Sequence, residues 1–166
     1  MTQTFDTEKL KPKLSFSLSK LILLIGLLVI IYWGYEKYTS IKTEQAETSV
    51  FILTPQTNDI YFLDLKLFTV KLGKDRRETR HKYQLAKVVR ITGENVVIVY
   101  GSVLYQWQNT AVNSIKFGEL SNSDYFELTP DYIPFNKLQE MQSNGAIYLV
   151  KRPIGNKIYG NFVSSY

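Results

Sequence analysis

The residues of this chain that could do chemistry are few. Among 166 positions there is one histidine, His81, and no cysteine. Thiolate metal centres, iron–sulfur clusters, disulfides and Cys nucleophiles are thereby excluded, as is any site built from several histidines. His81 could act as a general base only beside a positioned nucleophile and an orienting acid. No G-x-S-x-G motif supplies one, and the serine–lysine spacing Ser17–Lys20 falls in an apolar run. The carboxylates Asp59, Asp64, Asp124, Glu127 and Asp131 could pair as the acid and base of glycoside cleavage, which needs two carboxyls a few ångströms apart across a sugar. The competing reading is that these acids cap backbone amides in turns. Their spacing is not that of a calcium loop, and Gly101 and Gly118 stand alone rather than in a phosphate-binding loop. No cofactor and no metal is expected.

Two surfaces could bind rather than catalyse. The stretch KLGKDRRETRHK, residues 71–82, carries Lys74, Arg76, Arg77 and Arg80. Guanidinium forks grip oxyanions, so this stretch could hold an anionic lipid headgroup, a glycan or an acidic protein surface. It could equally be a wet hairpin tip that keeps a loop between two apolar strands soluble. The second surface is aromatic. The chain has 12 Tyr, 9 Phe and 2 Trp, more than a core of this size hides, and Tyr and Trp suit interfaces because one end is apolar and the other wet. In Tyr105-Gln106-Trp107-Gln108, strand alternation would place Tyr105 and Trp107 together on one face, the preferred contact site.

These residues hang on a chain in two parts. Leu21 to Tyr35 reads LILLIGLLVIIYWGY, apolar all round, and with Phe16 to Lys20 it makes a span of about twenty residues, enough to cross a bilayer. Tyr32, Trp33, Tyr35 and Tyr38 form the ring layer expected at a membrane–water boundary. A signal peptidase would need small residues after the apolar stretch and meets Tyr32 to Glu36 instead, which favours an uncleaved anchor. Lys9, Lys11, Lys13 and Lys20 precede the span while only Lys37 and Lys42 closely follow it, so the amino terminus is expected in the cytoplasm. The expected division is a cytoplasmic tail over 1–15, a transmembrane helix over 16–35, a stalk over 36–48 and a β-rich extracytoplasmic domain over 49–166. The outward topology and the lack of any nucleic-acid motif argue against nucleic acid as a partner, despite a net charge of +5.

Past the stalk the pattern is that of strands, at residues 50–54, 60–70, 83–91, 96–105 and 146–150. Thr92-Gly93-Glu94-Asn95 is the clearest hairpin turn, with Gly93 and Asn95 able to take positive φ. Both strands of that hairpin are apolar on both faces, so the sheet must curl into a small barrel or pack under a helix. The one convincing helix is Phe135 to Ser143, with Pro134 at its start and Asn144-Gly145 as a stop. The order of these elements resembles the small SH3-like barrels, through Asp59 to Asp64 as an entering strand, a long polar loop, and KVVRITGENVVIVYG as the next hairpin. That resemblance implies an antiparallel, SH3-like fold and no function.

The functional expectation is a single-pass protein of the inner membrane with a periplasmic or extracellular domain. It would bind another envelope protein without catalysis, as an assembly component or an immunity-type protein. The alternative is an anchored glycan-binding or hydrolytic module using the loop carboxylates. The lysine asymmetry makes a direct prediction: alkaline phosphatase fused after Tyr166 is active, and fused after Lys20 is inactive. The reverse pattern would overturn the outward topology.

Overall fold

The computed structural model describes residues 18–69 and 82–164. The chain divides into two compact units, one up to Ile41 and one from Lys42 onward. In the first unit, α1 (Leu18–Leu53) begins, and Leu21 to Ile31 expose large apolar side chains on every face. By length and composition this helix is able to cross a membrane. The polar segment after Tyr35 continues the same helix, and so do Val50 to Leu53, which carry β-branched and aromatic side chains and read as a strand in the sequence. Helix wins there because Ile52 is seated in the core of the second unit, and tertiary burial outweighs the small helix penalty of such side chains.

The second unit is an antiparallel sheet in the order β4-β3-β2-β1-β5. It consists of β1 (Ile60–Asp64), β2 (Tyr83–Thr92), β3 (Asn95–Tyr105), β4 (Phe126–Pro134) and β5 (Ile147–Lys151). The β2–β3 turn forms as expected at Gly93, which takes a φ of 55°, while Asn95 already belongs to β3. The expected strand over 60–70 stops at Asp64, whose carboxylate accepts the backbone N–H of Lys66 as the chain turns into α2 (Leu65–Thr69). The sheet stays open, with β4 and β5 as its edges, so the SH3-like barrel does not close. The alternative way of covering a two-faced sheet is the one found.

One face holds Tyr61, Leu63, Ala86, Val88, Val96, Ile98 and Ile133, packed under Ile52 of α1, Leu65 of α2, and Leu138 and Met141 of α4 (Phe135–Ser143). The other holds Ile60, Phe62, Leu85, Val99, Tyr105 and Leu149. It is packed under Ala111 and Ile115 of α3 (Gln108–Lys116), Leu120 of a 3-10 turn, and Ile158 and Val163 near the end of the chain. The α4 helix has the limits read from its sequence, and Gly145 takes the left-handed position after it with a φ of 82°. Among the described residues three α-helices besides α1, not one, complete the unit, because each face of the sheet needs its own cover.

The edge strand β5 is closed by the last turns of α1. The Thr48 hydroxyl accepts the buried N–H of Val150 at 3.1 Å, and Glu44 accepts a hydrogen bond from Lys151 at 2.8 Å. Beside them, fully buried Asp59 receives Arg152 in a fork, Nε to Oδ1 at 2.7 Å and an Nη to Oδ2 at 2.8 Å. The same guanidinium donates to the Thr54 carbonyl and lies 4.3 Å from the Phe51 ring centroid, and Asp59 also accepts the Gln56 N–H. Five residues from the end of α1, the α1–β1 connection and the end of β5 thus meet at one charge pair. Arg152→Met leaves the Asp59 carboxylate buried without its cation, a change that costs about 3–5 kcal/mol. Combining it with Asp59→Asn recovers a large part of that loss. Urea unfolding of the two variants checks this, and equal losses in single and double variants would refute it.

Candidate functional site

Of the residues singled out in the sequence, Lys74, Arg76, Arg77, Arg80 and His81 lie outside the described residues. Tyr105 and Trp107 are described, and they do not share a face. The strand ends at Tyr105, and the chain turns through Trp107, the N-cap residue of α3, so the alternation that would have paired them stops after one residue. Tyr105 points into the second core. Its hydroxyl donates to Glu119 Oε2 at 2.8 Å and shares a 2.8 Å hydrogen bond with the Tyr125 hydroxyl. Burial, reinforced by the Glu119 carboxylate, pushes the Tyr105 phenol up to about 12. Burial raises Tyr125 as well, followed by its contacts with Tyr105. Both phenols stay neutral and act as a core hydrogen-bond network, not as a surface for a partner. Gly101 makes room for that network, since a Cβ there would sit 2.8 Å from Cε1 of Tyr125. Trp107 alone of the pair is exposed.

The carboxylates take separate duties. Asp59 is bound to Arg152, Asp64 to the Lys66 N–H, and Asp131 accepts the Tyr100 hydroxyl at 2.9 Å. Asp64 on β1 and Asp131 on β4 are separated by two intervening strands, about 14 Å at the usual strand spacing. Glycoside cleavage needs carboxyls within about 10 Å of one another, so these do not make an acid–base pair. Asp124 and Glu127 are exposed near the start of β4. Among the described residues no group of His, Cys, Asp and Glu could hold a metal ion.

Two features missed by the sequence reading shape the second face. Lys87 is buried on β2, donates from Nζ to the Ser164 carbonyl at 2.7 Å, and lies 4.6 Å from the Phe126 ring centroid. It thereby straps the end of the chain over the sheet. Beyond that strap the floor residues Val97 and Val99 are still buried, and Leu128 and Arg90 stand exposed beside them. A shallow groove of about 290 Å³ is lined by Val89, Arg90, Val97, Val99, Leu128 and Pro130. Leu128, on the edge strand β4, is 84% exposed. Pro130 in this edge strand lacks an N–H, which discourages indiscriminate strand pairing while leaving the groove's side chains available. An apolar floor with one guanidinium at its rim is suited to receive an apolar side chain next to an acidic one.

No family model, curated protein or solved structure matches this chain, so neither the fold nor the groove inherits a function from a relative.

Burial lowers the pKa of Lys87 from its ordinary 10.5. The unfolded chain therefore binds more protons than the native one between the lowered value and 10.5, and the stability of this site rises as pH climbs through that window. Lys87→Met removes the ionisable group while keeping the side chain's length. The urea midpoint of the parent should climb relative to the variant as pH rises towards the ordinary lysine value, before tyrosines ionise in the unfolded chain. Parallel curves would show that Lys87 is not desolvated.

Proposed function

We propose that this chain is a single-pass, membrane-anchored interaction protein of the bacterial envelope, with its amino terminus in the cytoplasm and its β-rich domain outside. It works by docking onto another envelope protein and carries out no catalysis. The observation that carries this reading is the open groove on the second sheet face, with Leu128 beside it. Leu128 of the edge strand β4 is 84% exposed and adjoins Val89 in the groove, while α3, the 3-10 turn and the last described residues pack over neighbouring parts of that face. The lysine asymmetry about the apolar run supports the outward topology. Arg90 gives the groove a preference for a segment that presents an apolar side chain and a carboxylate together. Assembly of an envelope machine and neutralisation of a toxin are both served by such a surface. The glycan-cleaving alternative has less support, because Asp59 is buried against Arg152, and Asp64 and Asp131 bind separate partners on strands about 14 Å apart.

A photo-crosslinking side chain placed at Thr129 in the full-length chain, in cells, tests the docking. The expected result is one adduct of defined mass that fades by about tenfold when Leu128→Asp is added, the size of effect that follows from removing an interface anchor of 1–2 kcal/mol. The same probe at Ser143, on α4, should give no adduct. An adduct that is indifferent to Leu128→Asp, or no adduct at Thr129, would refute the groove as the docking site.

A further inference from the structure

The last described stretch of the chain builds a second surface, distinct from the groove. After β5 the backbone folds back twice within nine residues. Ile154 and Lys157 exchange both backbone hydrogen bonds around Gly155-Asn156, and β6 (Lys157–Ile158) pairs with β7 (Asn161–Phe162) around Tyr159-Gly160. All four central residues have positive φ: 57°, 59°, 51° and 84° in order. Such two-residue turns ordinarily use Gly, Asn or Asp at these positions, and a tyrosine at 51° costs about 1–2 kcal/mol of backbone strain. That cost is met by fixing the hairpin to α3, where Asn161 donates its amide to the Ile115 and Lys116 carbonyls at 3.1 and 2.8 Å and so caps the helix from far along the chain.

The result is a cluster of side chains aimed at solvent. Ile154 is 86% exposed, Phe117 79%, Phe162 58% and Tyr159 48%. Cations lie on the rings: Lys116 Nζ is 5.4 Å and Lys151 Nζ 5.8 Å from the Tyr159 centroid, and Lys157 Nζ is 4.4 Å from that of Phe162. Glu44 pairs with Lys151, and Lys116 and Lys157 are exposed positive charges beside these rings. The Lys151–Glu44 pair also ties the hairpin to a residue only nine positions beyond Tyr35, the end of the apolar run. That length of chain reaches at most about 32 Å.

We propose that the hairpin 154–162, with Phe117 and Lys116, is a second membrane contact that seats on an anionic lipid surface. Rings and aliphatic tips enter the headgroup layer while Lys116 and Lys157 neutralise lipid phosphates, the division of labour that holds interfacial segments in place. The argument rests on the anchored reading above. Because the tether supplies a high local concentration, the contact needs little affinity of its own.

The absence of cysteine makes the test clean. Ile154→Cys in the full-length chain is labelled with an environment-sensitive nitrobenzoxadiazole and assembled into nanodiscs of phosphatidylcholine, alone or with one part in three phosphatidylglycerol. In the anionic discs the emission should shift to the blue and be quenched by spin-labelled lipid, while a label at Ser143→Cys does neither. Lys116→Ser and Lys157→Ser should each lower the seated-to-free ratio by about fivefold, and high salt should release the label. Identical emission in both disc types would overturn the lipid contact, as would a blue shift that appears only in discs holding several copies, which would assign the surface to self-association. Failure of the chain to enter discs at all, seen by size exclusion, would overturn the anchor and this inference together.

Discussion

The constraint on which everything else rests is that the central strands are apolar on both faces. β1, β2 and β3 present Tyr61, Ala86 and Ile98 to one side and Phe62, Leu85 and Val99 to the other, so the sheet has to be covered twice. The first cover is the end of α1 with α2 and α4; the second is α3 with the 3-10 turn and the final residues. A domain of this size has few elements to spare. That is why the last turns of α1 are drawn into the core, and why a stretch as short as Ile158 to Val163 takes part in it.

Covering both faces of the sheet buries polar groups; among the described residues the Tyr61 and Tyr148 hydroxyls have no hydrogen-bond partner, while others are paired. Asp59 is answered by a two-pronged guanidinium, Lys87 by a carbonyl and a ring face, and the Tyr105 and Tyr125 hydroxyls by one another and by Glu119. These partners lie far apart in the chain, 93 residues for Asp59 and Arg152 and 77 for Lys87 and Ser164. A buried ion pair adds little net stability over an apolar substitute, but losing half of it is costly, so such pairs select one arrangement over its competitors. Here the Asp59–Arg152 pair fixes the α1–β1 junction against β5, and the hydrogen bond from Lys87 holds the last described residue against β2.

The same completeness makes the exposed apolar residues of the second unit informative. Leu128 lines the groove, and Ile154, Tyr159 and Phe162 stand exposed on the hairpin whose Asn161 caps α3, with Phe117 exposed just after that helix. The first surface is concave, with one cation at its rim, which suits a protein segment. The second projects rings and lysines from a stiff hairpin, which suits a soft, anionic boundary. The two surfaces differ in shape although both belong to the second face of the sheet.

Local chemistry was enough for some of this. The apolar run of α1, the turn at Gly93 and the helix Phe135–Ser143 with its Gly145 stop are each decided within about ten residues, by periodicity and by positions that only certain residues tolerate. Two-sided burial was legible in the unbroken Val and Ile runs of β2 and β3. The remainder was not local. Val50 to Leu53 look like strand and are helix because Ile52 finds a core; β4 carries Pro130 and Pro134, which read as loop and are tolerated because it is an edge; α3 shows only Ala111 and Ile115 at helical spacing. Tyr105 read as a surface residue and lies inside, because the strand ends there and the next turn of chain folds over it. Periodicity states which side chains avoid water, whereas which element shields them, and which polar group is buried as a consequence, depends on contacts between residues that only the folded chain brings within reach.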